Sequence, residues 1–219
     1  IPTFNRLKHT KKCVQQLLKQ NYPHVVIIIS DGGSADVPLL LFGAMGGTHE
    51  PHKGFDLLRD ALQQLEGQVS ELELVVLGKL APQNPEKIGF PVHYTGHMHD
   101  DVSLRLIYSA VDAMVIPSRI DNLPNTGVEA LSCGTPVVAF NTCGLPDIVQ
   151  HKHTGYLAKA FEPIDMAQGI KWVLETQLEN TNLEKLSWLS MNSRQAAISQ
   201  YSNSVVVEQY LNIYRKIIG

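Results

Sequence analysis

The sequence has few cysteines and lacks the features of several protein classes. Its three cysteines, Cys13, Cys133 and Cys143, show neither metal-ligand spacing nor the even number of a disulfide framework. No apolar run approaches the roughly 18 residues that a membrane span needs, and no signal peptide is visible. We therefore expect a soluble protein in the reducing cytoplasm.

The chain also lacks an excess of charge of one sign. It has 18 Lys and Arg against 21 Asp and Glu, a net charge of −3 and a pI near 6.3. This balance argues against a polyanionic partner such as nucleic acid. A length of 219 residues fits one large domain or a domain and a half, and the 44% of hydrophobic residues supports an extensive core.

A strand-helix-strand pattern between residues 113 and 140 organises the rest of the chain. The apolar run Ala113–Ile116 stops at Pro117, a helical segment is predicted from about Thr126 to Cys133, and a second apolar run covers Pro136–Phe140. Two buried strands joined by a helix of this length form a βαβ unit of a parallel sheet. The sequence therefore predicts an α/β fold.

The loop of this unit carries the residues suited to ligand binding. It lies at the carboxyl end of the first strand, where open α/β sheets place ligands. Seven residues separate Asp121 from Glu129, and the helix that opens at Pro124 points its free N–H groups back at the loop. Amides for a phosphate beside carboxylates for sugar hydroxyls suggest a nucleotide or a nucleotide-sugar. The alternative is a surface turn with a solvated Asp and a Glu favoured by the helix dipole.

A second strand-end loop follows the apolar run Pro38–Phe42. It reads GAMGGTHEPHKG, and its glycines would let the backbone approach a ligand closely. Lys53 precedes the amphipathic helix predicted over Phe55–Leu65, where its ammonium group could reach a diphosphate. The alternative for Lys53 is a solvated lysine at a helix start.

The block PSRIDNLPNTGVEALSCGTPVVAF resembles the donor-site signature of retaining GT-B glycosyltransferases, family 4 in particular. The resemblance extends over about residues 37–219. It implies a Rossmann-like parallel sheet with helices on both faces, which is the donor-binding half of such an enzyme.

The resemblance also implies a role for individual residues. Glu129 would hold the ribose and Asp121 the transferred sugar, while Lys53 would contact the diphosphate. The backbone cradle for sugar and diphosphate would comprise Asn122, Leu123, Pro124, Asn125 and Thr126. The glycine loop would face the phosphates with Gly46 and Gly47. The residues near the base would be Gly78, Gly96 and His97.

Two positions depart from the family pattern. Asp121 stands where the family has Glu, so its carboxylate is one methylene shorter. Ala44 stands where the family has an Arg, which removes one of two cations for the diphosphate. Lys79 and Arg119 follow strand ends and are candidates to replace it.

Residues 1–36 resemble the start of the family 2 GT-A glycosyltransferases, through Pro2, Thr3 and Asp31. The Asp-x-Asp triplet that holds the metal of those enzymes is absent from the sequence. We therefore interpret residues 1–36 as a structural βαβ segment, or as a relic of a fusion or truncation, before the donor-binding domain of residues 37–219.

The resemblance implies a retaining transfer of sugar from a nucleoside diphosphate sugar, in polysaccharide or glycoconjugate synthesis. It implies no cofactor and no metal. The acceptor would be a sugar or a lipid-linked sugar, bound by a domain missing from this chain, so that the isolated chain transfers slowly or not at all. The protein would be cytoplasmic, with peripheral binding at the inner face of the membrane as a further possibility.

Two alternatives stay open. One is a non-catalytic nucleotide-sugar-binding module or an inactive fragment, and the other is a GT-B-type epimerase. Three histidines at positions 93, 97 and 99 also admit a metal site, but no Cys or paired carboxylate supports one.

The C-terminal tail has apolar residues on one helical face. They are Val206, Tyr210, Ile213, Tyr214 and Ile217. In GT-B enzymes such a last helix crosses to the partner domain, and packing against the sheet is the alternative.

Overall fold

The computed structural model describes residues 37–43, 50–69, 71–78, 80–83, 87–98, 100–178 and 187–218. The segment 1–36, with its resemblance to GT-A enzymes, lies outside this part of the chain. So do Gly46 and Gly47 of the glycine loop, Ala44 and Lys79.

The described residues form a sheet of six parallel strands, which confirms the predicted α/β class. The strands are β1 (Leu39–Gly43), β2 (Glu73–Leu77), β3 (Val92–Tyr94), β4 (Ala113–Ile116), β5 (Val137–Phe140) and β6 (Gly155–Ala158). Their order in the sheet is β3-β2-β1-β4-β5-β6. The chain therefore builds the sheet outward in one direction and then in the other, and the order reverses between β1 and β4. A reversal of this kind opens a crevice at the carboxyl ends of the two strands, where doubly wound folds bind their ligands.

Seven α-helices accompany the described strands. They are α1 (Phe55–Leu65), α2 (Asp101–Ala110), α3 (Asn125–Ser132), α4 (Leu145–Ile148), α5 (Pro163–Leu178), α6 (Trp188–Tyr201) and α7 (Asn203–Ile218). A 3-10 turn, Pro51–Lys53, leads into α1. The start of α2 is fixed by Asp100, whose Oδ1 accepts a hydrogen bond of 2.8 Å from Ser103 N.

Side chains of each strand alternate between two apolar layers. On one face, side chains such as Phe42, Val76 and Val115 pack with α1 and α5. On the other face of the sheet, side chains such as Leu41, Val75 and Met114 pack with α2 and α3. Because both faces are covered, β1, β4 and β5 read as apolar runs in the sequence, whereas the edge strand β3 reads Val-His-Tyr and is only half-buried.

Helix α7 leaves the body of the domain, and none of its described residues is buried. Ser202 between α6 and α7 has an extended backbone, with φ −63° and ψ 147°, which turns the chain away from the sheet. The predicted alternative, packing of the last helix on the sheet, is therefore wrong. Helices with the length and apolar character of a membrane span are absent from the described residues.

Candidate functional site

The site forms where the strand order reverses. Lys53 approaches from the β1 side and Asp121 from the loop after β4, and Lys53 Nζ lies 2.8 Å from Asp121 Oδ2. The lysine side chain is 27% exposed and the aspartate side chain 15%. Ser118 Oγ donates a second hydrogen bond, of 3.2 Å, to the same carboxylate oxygen. The partly buried carboxylate thus faces one cation and one hydroxyl at the mouth of the crevice.

Gly54 lets the start of α1 pack closely on the loop after β4. It has a φ of +68°, and a Cβ at this position would lie 2.0 Å from the carbonyl oxygen of Pro117. The loop is tied to the same turn by Arg119 N, which donates to the carbonyl of His52 at 2.8 Å. Lys53, between these two contacts, is held at a fixed distance from the loop.

Arg119 strengthens this attachment through its guanidinium group. Its Nη1 and Nη2 donate to the two carboxylate oxygens of Asp56 at 2.8 and 2.6 Å, and Nη1 also donates to the carbonyl of Pro51. The hydrogen bonds from Arg119 lower the pKa of the Asp56 carboxyl from its usual value. Arg119 is a predicted candidate to replace the second cation for the diphosphate. In the structure its guanidinium group pairs with Asp56 and so attaches the loop to α1. The other candidate, Lys79, lies outside the described residues.

The other side of the loop packs against the turn after β5. Gly144 N donates to the carbonyl of Asp121 at 3.1 Å. A Cβ at position 144 would lie 1.3 Å from the carbonyl oxygen of Asn122, so that only glycine fits. The loop is thus clamped between α1 and the β5 turn, which fixes its backbone.

The first turn of α3 lies against the end of β1. A Cβ at Gly43 would contact Thr126 Cγ2 at 3.6 Å. Pro124 is the N-cap residue and supplies no side-chain hydrogen bond to the helix. Amide groups at such an uncapped helix start are available to an anion. The predicted anion-binding end of α3 therefore points into the reversal of strand order.

Glu129 lies on α3 and its side chain is exposed. Its Oε2 accepts a hydrogen bond of 2.8 Å from the hydroxyl of Tyr108, on α2. Despite this contact, the Glu129 side chain is exposed to solvent. The alternative prediction of a solvated Glu in the first turn, favoured by the helix dipole, is wrong in its position, because Glu129 is the fifth residue of α3 and the first turn has no acidic residue. It also does not account for the hydrogen bond from Tyr108.

The predicted base-binding residues lie at the ends of β2 and β3. Gly78 N donates to the carbonyl of Gly96 at 3.1 Å, and both glycines are buried with positive φ angles. Gly43 is in register with Leu77, which places Gly78 beside the end of β1. The side chain of His97 is exposed at the same edge of the sheet.

A metal site formed by His93, His97 and His99 is not supported by the residues that the structure describes. His93 Nε2 lies 2.9 Å from Glu73 Oε2, across neighbouring strands. Groups of three or more His, Cys, Asp or Glu side chains that could hold a metal ion are not found in the described ranges. His99 lies outside them.

The structure thus brings Lys53 and Asp121 into contact and leaves Glu129 accessible on the neighbouring helix. In the predicted cradle, Pro124 is buried, Thr126 is half-buried, and three residues are exposed: Asn122, Leu123 and Asn125. Sequence reasoning missed Ser118 and Tyr108, which contact the two carboxylates. It also missed Gly54, although the Lys-Gly pair before a predicted helix was a usable signal.

Comparison with known proteins gives a family match that includes all six described strands. The family model described as glycosyl transferases group 1 matches residues 39–176. A relative from Campylobacter jejuni, named N,N'-diacetylbacillosaminyl-diphospho-undecaprenol alpha-1,3-N-acetylgalactosaminyltransferase, is 29% identical over 127 residues, or 58% of this chain and 31% of the relative. The MMP alpha-(1->4)-mannosyltransferase of Mycolicibacterium hassiacum is 29% identical over 183 residues, or 80% of this chain and 43% of the relative.

A solved structure shares the fold. HepE from Anabaena, in complex with UDP, matches with a TM-score of 0.63 and 22% identity, over 96% of this chain and 53% of HepE. The chain therefore spans less than half the length of the two curated relatives and about half that of HepE.

Proposed function

Because this chain belongs to the group 1 glycosyltransferases, we propose that it is the donor-binding half of an enzyme that transfers a sugar from a nucleoside diphosphate sugar. One observation carries the proposal. Lys53 and Asp121 meet at the reversal of strand order, beside the uncapped start of the helix that bears Glu129. A cation and a carboxylate beside a helix start that no side chain caps match the diphosphate and hydroxyl groups of such a donor.

Each predicted residue then has a chemical task. Glu129 accepts hydrogen bonds from the ribose hydroxyls, and Asp121 contacts the transferred sugar. Lys53 and the first amides of α3 hold the diphosphate and stabilise the negative charge that develops as it departs. The edge formed by Gly78, Gly96 and His97 receives the base.

The reaction that we propose leaves the transferred sugar with its anomeric configuration retained. It uses no cofactor, and its independence of metal stays a prediction from the family resemblance. HepE, solved with UDP, supports a nucleoside diphosphate as the ligand of this fold.

The acceptor is a sugar or a lipid-linked sugar in this proposal. The name of the Campylobacter jejuni relative describes transfer to an undecaprenol-linked diphosphate sugar, which is the lipid-linked case. The family resemblance implies that a second domain binds the acceptor. Location in the cytoplasm or at its membrane face, and the division at residue 37, stay predictions.

A non-catalytic nucleotide-sugar-binding module is the second candidate function. It is favoured by Asp121, whose short carboxylate is shared between Lys53 and Ser118 and is thus already engaged. An epimerase would need acid and base residues of its own, and it stays an untested alternative.

Product analysis separates these functions. The full-length protein is incubated with radiolabelled UDP-glucose, GDP-mannose or ADP-glucose and with sugar or polyprenyl-linked acceptors. Transfer of label with retained configuration supports the proposal. Binding of a donor without any product indicates the binding module, and conversion of the nucleotide-sugar to its epimer indicates the epimerase.

A further inference from the structure

Tyr108 is a buried tyrosine whose hydroxyl group reaches a surface carboxylate. Only 1% of its area is exposed, and it is among the largest fully buried side chains of the described residues. Its hydroxyl donates to Glu129 Oε2 at 2.8 Å. A buried tyrosine hydroxyl needs a hydrogen-bond partner, and here that partner is the carboxylate assigned to the ribose.

The support of Tyr108 is rigid on both sides. Its ring packs in the apolar layer formed with Leu131 of α3 and Met114 of β4. Its carbonyl oxygen accepts a hydrogen bond from Thr135 Oγ1, after the end of α3. The hydroxyl is therefore a donor held by the packed core.

The hydroxyl also stays protonated across the physiological range. Burial and the nearby charge of Glu129 raise the pKa of Tyr108 above its usual value. The protonated hydroxyl is thus a hydrogen-bond donor to one oxygen of the carboxylate.

The contact leaves one oxygen of Glu129 for another partner. Among the residues that the structure describes, Oε1 accepts no hydrogen bond, while Oε2 is occupied. An exposed glutamate with neither oxygen held would have to be ordered when a ligand binds, at a cost in side-chain entropy. Holding Oε2 removes part of that cost in advance.

We propose that Tyr108 is a positioning residue for the nucleotide, which fixes Glu129 so that its second oxygen accepts from the ribose hydroxyls. The inference rests on the proposed function, in which Glu129 binds the ribose. It implies that preference for a ribonucleotide over its dideoxy counterpart depends on a hydroxyl group in the core.

The test compares ribose and dideoxyribose binding by calorimetric titration of the whole chain. The ligands are UDP, GDP, ADP and their 2′,3′-dideoxy counterparts, and the variants are Tyr108→Phe, Glu129→Ala and the double variant. Tyr156→Phe is the matched control, because the Tyr156 hydroxyl also donates to a carboxylate, Asp165 Oδ1 at 3.0 Å, but from β6. Thermal unfolding of both tyrosine variants checks that each is folded.

We expect Tyr108→Phe to weaken the ribonucleotide about tenfold, as for loss of a hydrogen bond to a charged group, and to leave the dideoxy affinity unchanged. The effect should vanish in the Glu129→Ala background, and Tyr156→Phe should bind as the wild type. Equal weakening of both ligands by Tyr108→Phe would indicate a structural role and overturn the inference. The inference would also be overturned if Tyr108→Phe kept the wild-type preference for the ribonucleotide while Glu129→Ala lost that preference. That result would leave the proposed function standing. A wild-type chain without ribose preference would overturn both.

Discussion

Lys53 Nζ lies 2.8 Å from Asp121 Oδ2, which joins residues 68 positions apart across the reversal of strand order. The pair is partly buried, so solvent screens it less than an exposed ion pair. A nucleoside diphosphate bound at this point would compete with Asp121 for the ammonium group of Lys53. The contact therefore links the group assigned to the diphosphate to the group assigned to the sugar.

Replacing Lys53 by methionine should weaken binding of a nucleoside diphosphate at least about tenfold, because a charge-assisted contact to phosphate is lost. The loss should be smaller for the nucleoside monophosphate, and calorimetry measures both. Lys159→Met is the control, since Lys159 forms a solvent-exposed pair with Glu162 on the surface. If Lys53→Met and the control variant bound the nucleoside diphosphate with equal affinity, Lys53 would not be part of the binding site.

Asp121→Asn should strengthen UDP binding several-fold, because Lys53 is no longer shared with a carboxylate. The same variant should lose transfer activity in the full-length protein, as the sugar loses its carboxylate partner. Titration with UDP and a labelled transfer assay measure the two effects. Weaker UDP binding together with full activity would contradict the assigned roles.

Gly54→Ala should destabilise the domain more than Gly67→Ala, although both glycines have a similar positive φ. The left-handed conformation costs either alanine about 1–2 kcal/mol. At Gly54 the new Cβ also meets the Pro117 carbonyl at 2.0 Å, whereas at Gly67 nothing lies within 4 Å. The extra clash should add about 1–3 kcal/mol, as read from urea unfolding curves. Equal unfolding free energies would show that the loop does not need this close approach.

The bidentate pair of Arg119 with Asp56 should give a pH-dependent contribution to stability. The folded-state pKa of Asp56 is lowered, so its contribution is present above the unfolded carboxyl pKa and disappears as the pH falls through the folded value. Because Asp56 is nearly half exposed, solvent screening limits the contribution to about 0.5–1 kcal/mol. The difference in unfolding free energy between wild type and Asp56→Asn should therefore shrink between about pH 5 and pH 3. Asp60→Asn, on the same helix, serves as the control. A difference that stays constant over this range would exclude the ion pair as its source.

The central elements of the fold could be read from the sequence because β1, β4 and β5 are short apolar runs that follow or precede a glycine or proline. Ala113–Ile116 and Val137–Phe140 agree with their predicted runs to within one residue. The order of the strands in the sheet could not be predicted from the sequence, because it depends on which strands form hydrogen bonds with each other. The contact between Lys53 and Asp121 follows from that order.

Other parts of the site had no local signal. Tyr108 and Glu129 meet only because α2 and α3 pack side by side, and an apolar pattern places tyrosine in a core without showing its hydroxyl partner. The tail was ambiguous for a similar reason. Its apolar stripe at Tyr210 and Ile217 suits burial, but it does not show that Ser202 directs the helix away from the sheet.

Calorimetric titration of the wild-type chain and Glu129→Ala with UDP, GDP and ADP tests the central claim most directly. Glu175→Ala is the control, because Glu175 pairs with Lys171 on an exposed part of α5. We predict that at least one nucleoside diphosphate binds the wild type and the control equally, and that Glu129→Ala weakens it about tenfold or more. Binding that is unaffected by Glu129→Ala, or no binding of any of the three to the wild type, would contradict the account.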